Sequence, residues 1–496
     1  MKTNKPFQKI LSILLLSLLF MTQSISAAST SGRHDAYVPL RHKAYSFGAS
    51  VEWHSPGRSV HITDINGNTH IVVVDEVGGF VEHGTTWVPL EFAEEFFASF
   101  PAIPALTRQD FIYDFDYMFN VLTEEFLYFG IVYRRLGIDM HQLASDTRAI
   151  IEDEDVYIDA DIFWDIMHEN FFEPINLIGH LRILSNDQFH ARAPGIRADT
   201  YNPNNYALKS PATIAFYAES SSTPYELLAA YRGGGQNIVF ETIEENRIAH
   251  MTIHSMLFYD IEQFTADQMY AFENYGALAG YEHLIVDLRG NPGGAGGYFN
   301  LVFLGAFFEE IFEVPMYALF SMGGHYSHSQ LEFIRGLDFT LGGPEVDLDA
   351  VPHLQEDNTE LFVFAQDRIQ RTLGPVQPLP VLFGEADLPE ERFEGKIWLL
   401  IDGYTFSAGE MAAIMADATG SISIVGEQAR GGMGTGFYSW VSLPNSGIIM
   451  MFDVGVMIDQ YGRAFEEFPF TPHYTNKHGL DALETVLRMI TEGIYE

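Results

Sequence analysis

The chain has 496 residues, 47% of them hydrophobic and 14% aromatic, with 67 acidic against 27 basic side chains and no cysteine. That length allows two to four domains at roughly 150 residues each, and the apolar content excludes wholesale disorder. A formal net charge of −40 repels nucleic acid and anionic lipid, and the lack of cysteine excludes disulfides, thiolate chemistry and Cys-ligated zinc.

The N-terminus reads as an export signal. Residues 1–9 carry Lys2, Lys5 and Lys9 and no acid, and 10–21 form an apolar run too short for a comfortable membrane span of about 20 residues. Ser26-Ala27-Ala28 offers small residues for cleavage after Ala28. Residues 1–28 are therefore expected to be a signal peptide, and the mature chain to be secreted or held at the cell surface.

Residues 29–100 hold a weak internal repeat. Asp35-Ala-Tyr-Val-Pro-Leu-Arg41 is echoed by Thr85-Thr-Trp-Val-Pro-Leu-Glu91, and each copy reads as a short strand running into an amphipathic helix. Between them, 59–63 and 70–75 have strand character, with Asn66-Gly67 as a hairpin turn. The segment resembles the stalk domain named after the N-termini of copper amine oxidases. That resemblance implies a small α+β spacer or attachment module with possible cell-wall or surface contact, and no amine oxidation. His54 and His61 read as surface residues, and no metal site is expected.

Residues 101–195 are expected to form a helical subdomain, because 111–129 and 162–184 place apolar residues at helical spacing. The second run ends at Asp187-Gln-Phe-His190. Pro194, Gly195 and the Asn/Pro cluster at 202–205 then predict an exposed loop. From about 236 onward the pattern becomes strand, helix, strand: 247–254, 264–279, 283–288, 396–401 and 422–425. Continuous apolar strands separated by helices argue for a sheet covered on both faces, hence an α/β core over 196–496. The mixed stretch 305–395, with acids at 345–349 and Pro375, Pro378 and Pro380, reads as an insertion.

Three places carry chemistry. In Trp398-Leu-Leu-Ile-Asp402-Gly-Tyr-Thr-Phe-Ser407-Ala-Gly-Glu410, a serine follows a buried strand and opens a helix, where free backbone N–H groups can hold an oxyanion. This is the logic of a nucleophile elbow, with Thr405 where the hydrolase pentapeptide has its first glycine; by local pattern alone Ser407 could equally be an N-cap. In Asp287-Leu-Arg-Gly-Asn-Pro-Gly-Gly294, glycines after a strand let backbone amides approach a ligand, while Pro292 breaks the dinucleotide-binding spacing and no Gly-Lys-Ser/Thr follows. The third is His190, which taken alone reads as structural.

In this order the three segments resemble the C-terminal processing peptidases, tail-specific proteases and tricorn core. Ser407-Ala-Gly-Glu410 matches the nucleophile motif, Val425-Gly-Glu427 the segment after the nucleophile helix, and Phe465-Glu466-Glu467-Phe468 the C-terminal acidic segment. The resemblance implies a mixed α/β peptidase core with helices on both faces, built from crotonase-like units. It also implies a serine peptidase acting on peptide or protein substrates without cofactor or metal. Carried over, Ser407 is the nucleophile and His190 the general base. Glu466 is the relay acid, with Glu467 and Asp459 as alternatives, and the amides of Ala408 and of Gly293 or Gly294 form the oxyanion hole.

A lysine base is not expected, since no lysine lies between Lys396 and Lys477 and the equivalent loop reads Gln428-Ala-Arg-Gly-Gly-Met-Gly434. A histidine base implies activity that falls in acid as a group near ~6.5 protonates. Residues 191–246 are too few for the PDZ domain such peptidases usually carry. The competing readings are a non-catalytic binding protein on the same fold and a surface scaffold.

Overall fold

The computed structural model describes residues 37–494 except 46, 48, 55–56, 65, 83–84, 101–104, 199–201, 218–230, 259, 309–311, 315, 321–323, 337–366, 371–372, 377–392 and 460. The expected leader and the acidic stretch 345–349 lie outside the described residues.

The first unit is organised by the repeat. The strand Tyr37–Pro39 runs directly into the helix Leu40–Tyr45, and Thr85–Pro89 into Leu90–Phe97. The two strands pair antiparallel, with Val38 opposite Val88. Proline suits each junction because it needs no ladder partner and its φ is preset for a helix start. A second sheet, Ser50–His54, Ser59–Thr63 and Thr69–Val73, turns at Asn66-Gly67, where Asp64 accepts the amides of Asn66 and Asn68 at 2.9 Å each. Leu40, Val60, Ile62, Val72, Val88 and Phe97 share this unit's own core. The helix Leu40–Tyr45 also rests against the helix Pro211–Phe216.

The helices that follow begin where side chains supply the missing hydrogen bonds of a first turn. Thr107 and Asp110 form a capping box at Arg108–Glu125, and Asp139 and Asp159 cap Met140–Glu152 and Ala160–Met167. Their apolar faces bury Phe111, Phe115, Phe163 and Phe171 in one core with Val441, Met450, Phe452 and Val456. The helical region is thus packed on strands 250 residues or more downstream, and the expected boundary at 195 falls inside the helix Asn186–Ala198.

The main sheet has six strands. His283–Asp287 lies between Ile248–Ile253 and Lys396–Ile401, followed outward by Ser423–Gly426 and Tyr474–Thr475, all parallel. Ile238–Glu244 closes the other edge antiparallel. Alternate residues serve opposite faces. Leu284, Val286, Leu399 and Ile401 pack on the helices Ile261–Tyr275 and Ala408–Ala418. Ile285, Trp398 and Leu400 pack on the C-terminal helix Ala482–Glu492. Each fully buried side chain of this size stabilises the fold by about 1.5–3 kcal/mol, and burial on both faces explains the unbroken apolar runs.

A smaller antiparallel sheet pairs Tyr438–Ser442 with Ile449–Asp453, and Arg182–Ile183 adds to it opposite Met451 and Met450. Gly455–Asp459 continues the chain against Met316–Phe320. This second sheet carries Asp453 and places it where the main sheet's Phe406 and Ser407 emerge.

Candidate active site

The strand Lys396–Ile401 ends in a turn that delivers Ser407 to the start of the helix Ala408–Ala418. Asp402 ties this turn together: its Oδ1 accepts the amides of Tyr404, Thr405 and Gly290, each at 3.0 Å. The Thr405 hydroxyl donates to the Leu288 carbonyl at 3.0 Å. The Phe406 amide donates to Asn291 O at 3.0 Å and the Ser407 amide to Gly431 O at 2.8 Å. Held this way, Ser407 adopts φ 56° and ψ −119°, a conformation that costs a non-glycine residue about 1–3 kcal/mol. It is half-buried, which leaves the hydroxyl reachable.

The glycine loop fits against this elbow without room for side chains. A Cβ on Gly293 would lie 2.7 Å from Ala408 N and 2.9 Å from Ser407 Cβ, and one on Gly294 would lie 2.3 Å from the Met256 carbonyl carbon. Both glycines have positive φ, 84° and 138°. The two expected oxyanion donors separate here. The Gly293 amide is engaged by Asn291 Oδ1 at 2.8 Å. Among the described residues the amides of Gly294 and Ala408 have no acceptor, Ala408 because it is the first residue of its helix. Asp287 anchors the loop's approach. Burial pushes its pKa up, but hydrogen bonds from His250 and Arg289 outweigh that and bring it to about 2.

The histidine whose ring packs on Phe406, the residue before the serine, is His180, a correction to the expectation of His190. The His180 ring lies 5.0 Å from Phe406, the residue before Ser407, and 5.0 Å from Tyr438. Its Nδ1 is 3.1 Å from Asp453 Oδ1, and its amide donates to Asp453 Oδ2 at 2.6 Å. A carboxylate only accepts, so Nδ1 carries the hydrogen and neutral His180 has its lone pair on Nε2. His190 is held elsewhere: its Nε2 donates to the Tyr217 carbonyl at 2.9 Å, and its ring meets Phe189 edge-on. The helix Asn186–Ala198 that carries it starts one strand beyond the junction that positions His180.

Asp453 is fully buried, and Gly179 and Gly434 make its space. A Cβ on Gly179 would come within 2.6 Å of Oδ2 and one on Gly434 within 2.1 Å of Oδ1. Of the three expected relay acids only Glu466 is at the site. Glu467 is paired with Arg134 at 2.7 Å, and Asp459 with Arg463 at 2.7 Å. Glu466 is completely buried, accepts the Gly179 amide at 2.9 Å and lies 3.7 Å from Arg135. Burial, then the charge of Asp453, pushes its pKa up to about 7. It therefore clips the histidine loop in place, while Asp453 is the acid on the ring.

Glu410 also lies beneath the elbow, with Oε1 accepting the Phe470 amide at 2.6 Å and a buried Oε2 that has no partner among the described residues; burial pushes its pKa up to about 8. Lys396 points to the Ser421 carbonyl and Lys477 pairs with Glu492 at 2.6 Å, so neither serves the elbow. No group of three or more potential metal ligands occurs among the described residues.

His180 and Asp453 escaped the sequence reading. The available signals were a histidine at the junction of a helical run with Leu181-Arg-Ile-Leu184, and an acid closing the apolar run Ile449–Phe452.

The sequence model of peptidase family S41 matches residues 352–475. No match is found among curated proteins. Among solved structures, mature CPAF is 13% identical, with 78% of this chain and 95% of that one covered at a TM-score of 0.44. A lipoprotein from Streptococcus agalactiae is 14% identical, with coverage of 80% and 100% and a TM-score of 0.39. The tricorn protease is 10% identical, with coverage of 90% and 41% and a TM-score of 0.32.

Proposed function

We propose that the chain, whose residues 352–475 match the sequence model of peptidase family S41, is a serine-type peptidase acting on peptide or protein substrates in which Ser407 and His180 perform the acyl transfer. His180 Nε2 takes the hydroxyl proton as Ser407 Oγ bonds to the peptide carbonyl carbon. The same proton then goes to the departing amine as the C–N bond breaks. The amides of Gly294 and Ala408 receive the oxyanion, and Asp453 holds the imidazole in its working tautomer and balances the imidazolium. Water, deprotonated by His180, releases the acyl group and restores Ser407.

The observation that carries this reading is the strained Ser407 at a helix start, with Gly293 pressed against it and the His180 ring on Phe406. A serine-reactive fluorophosphonate probe tests it. Labelling is expected at Ser407, to be lost in Ser407→Ala and strongly slowed in His180→Ala; a labelled His180→Ala protein that reacts like wild type would overturn the assignment of the base.

Export is part of the same proposal. The basic start, apolar run and Ser26-Ala27-Ala28 of the leader support secretion with cleavage after Ala28, and the 37–100 unit supports a spacer or attachment role. N-terminal sequencing of exported protein should begin near Ser29; an intact Met1 would contradict cleavage.

A further inference from the structure

Between the strand Ile248–Ile253 and the helix Ile261–Tyr275 the chain passes through Ser255, Met256 and Leu257, and Met256 bridges to Gly294 of the glycine loop. The Met256 amide donates to the Gly293 carbonyl at 2.9 Å, and the Met256 carbonyl accepts the Ala295 amide at 2.9 Å. These two bonds flank Gly294. In a parallel pairing the residue between two such bonds turns its own amide to the opposite side. Met256 thus aims the Gly294 amide away from itself, free for another acceptor. The approach is close: a Cβ on Gly294 would lie 2.3 Å from the Met256 oxygen. Where Met256 sits, the Gly294 donor sits.

Both neighbours of Met256 are fixed by polar side chains. Asn237 brackets Ser255, with Nδ2 donating to its carbonyl at 2.9 Å and Oδ1 accepting its amide at 3.1 Å. Arg232 Nη1 donates to the Leu257 carbonyl at 2.5 Å. Arg232 Nη2 is in turn held by both oxygens of Asp267, at 2.7 and 2.9 Å. The Tyr298 hydroxyl closes the network, donating to Asp267 Oδ2 at 2.7 Å and accepting from Asn237 Nδ2 at 2.8 Å. Arg232, Asn237, Ser255, Asp267 and Tyr298 are all buried. Apolar packing could fill such a space with no loss of stability. What it could not do is fix two flanking carbonyls and an amide by direction, as hydrogen bonds do.

We propose that Arg232 and Asp267, with Asn237 and Tyr298, are positioning residues for the oxyanion hole: they set residues 255–257 and, through Met256, the Gly294 amide. The proposal rests on the reading of Ser407 as nucleophile and Gly294 as oxyanion donor. Such a donor acts only within about 2.7–3.1 Å of the oxyanion, so a small drift of Met256 weakens it while leaving the encounter of the serine with its reagent unchanged. None of the four touches the reacting atoms; they act through the backbone of residues 255–257.

Phosphonylation of the full-length chain by a fluorophosphonate tests this, because the phosphoryl oxygen takes the place of the oxyanion. Asp267→Asn alone would leave a buried guanidinium without its counter-charge and could unfold the chain, so the decisive variant is R232M/D267L, which removes the pair together and keeps the volume. Its kinact should fall about thirtyfold with KI nearly unchanged. The control is Asp114→Asn, which alters a buried carboxyl bound to the Ser446 amide at 2.7 Å, outside the glycine loop; it should leave kinact near wild type. Denaturant unfolding of both variants reads stability. A folded R232M/D267L chain that reacts at the wild-type rate overturns the proposal, and so does an equal loss in D114N, since any destabilisation would then act alike. Hydrogen exchange separates this from the serine reading: the Met256 and Ala295 amides should exchange faster in R232M/D267L, with those of the helix Ala408–Ala418 unchanged. If the wild-type chain is not labelled at all, the serine reading fails; faster exchange then still supports the hold on Met256, and unchanged exchange overturns it.

Discussion

Around Ser407 most supporting contacts are backbone contacts, with the Asp402 carboxylate accepting amides of the turn, whereas around His180 they are buried charges. The serine turn is held by amides and carbonyls of Leu288, Asn291, Phe406 and Gly431, and by glycines that leave no space for a Cβ. The histidine is held by Asp453 directly and by Glu466 through the Gly179 amide, with Glu466 in turn near Arg135. Backbone support is rigid and indifferent to pH. Buried carboxyls are neither, because each must be desolvated and its proton affinity moves with its neighbours. The two sides meet at Gly431, whose carbonyl accepts the Ser407 amide and whose Cα side faces Glu466.

The sharpest way to break this division is to delete the histidine. His180→Ala should lower kcat by about a thousandfold or more, while His190→Ala, which removes a hydrogen bond to the Tyr217 carbonyl, leaves kcat near wild type. Hydrolysis of a cleavable peptide by both variants decides; a reversed ranking returns the base to His190.

On the serine side the damage should come through shape. Gly294→Ala places a Cβ 2.3 Å from the Met256 backbone and forces φ 138° on a chiral residue. The loop must shift, and kcat should fall by about a hundredfold with little change in the pH profile. A pH profile that moves with this substitution would show that the two sides are not independent.

Stability against pH reads the buried carboxyls of both sides, Glu410 beneath the elbow and Glu466 behind the histidine. Glu410 is raised to about 8 and Glu466 to about 7, from an ordinary 4.5. Between pH 4.5 and 8 the folded chain keeps protons that the unfolded chain has released, so stability falls as pH rises through that window and levels off above it. Denaturant unfolding should show a more stable protein at pH 5 than at pH 9. Glu410→Gln, uncharged throughout, should flatten the slope and add on the order of a few kcal/mol at pH 9. An unchanged slope would mean that Glu410 titrates normally.

The smallest effect is expected from removing the first unit. Its core is its own, and its contact with the rest includes the helix Leu40–Tyr45 on Pro211–Phe216. A chain beginning at residue 105 should keep fluorophosphonate labelling at Ser407; loss of labelling in a folded truncated protein, checked by circular dichroism, would give that contact a role in catalysis.

The serine side was legible in the sequence because its parts are local. A buried strand, a turn with Asp402 and Thr405 and a helix start lie within about twenty consecutive residues, and the glycine loop announces itself by composition. Chain connectivity alone therefore determined the strand–elbow–helix unit, the glycines beside a nucleophile and the apolar strands of a two-faced sheet. The choice of histidine was not of this kind. Asp187 and His190 sit three apart on one helix, a spacing that imitates a motif, while His180 stands without a nearby acid and finds Asp453 only 273 residues later. What selects it is the short ladder of Arg182–Ile183 on Met450 and Met451, which brings His180 beside Phe406 as the helical region shares a core with the strands that end in Asp453. Tertiary packing decided the base, its acid and the role of Glu466. A buried charge pair is specified by which surfaces exclude water together, and that depends on segments far apart in the chain.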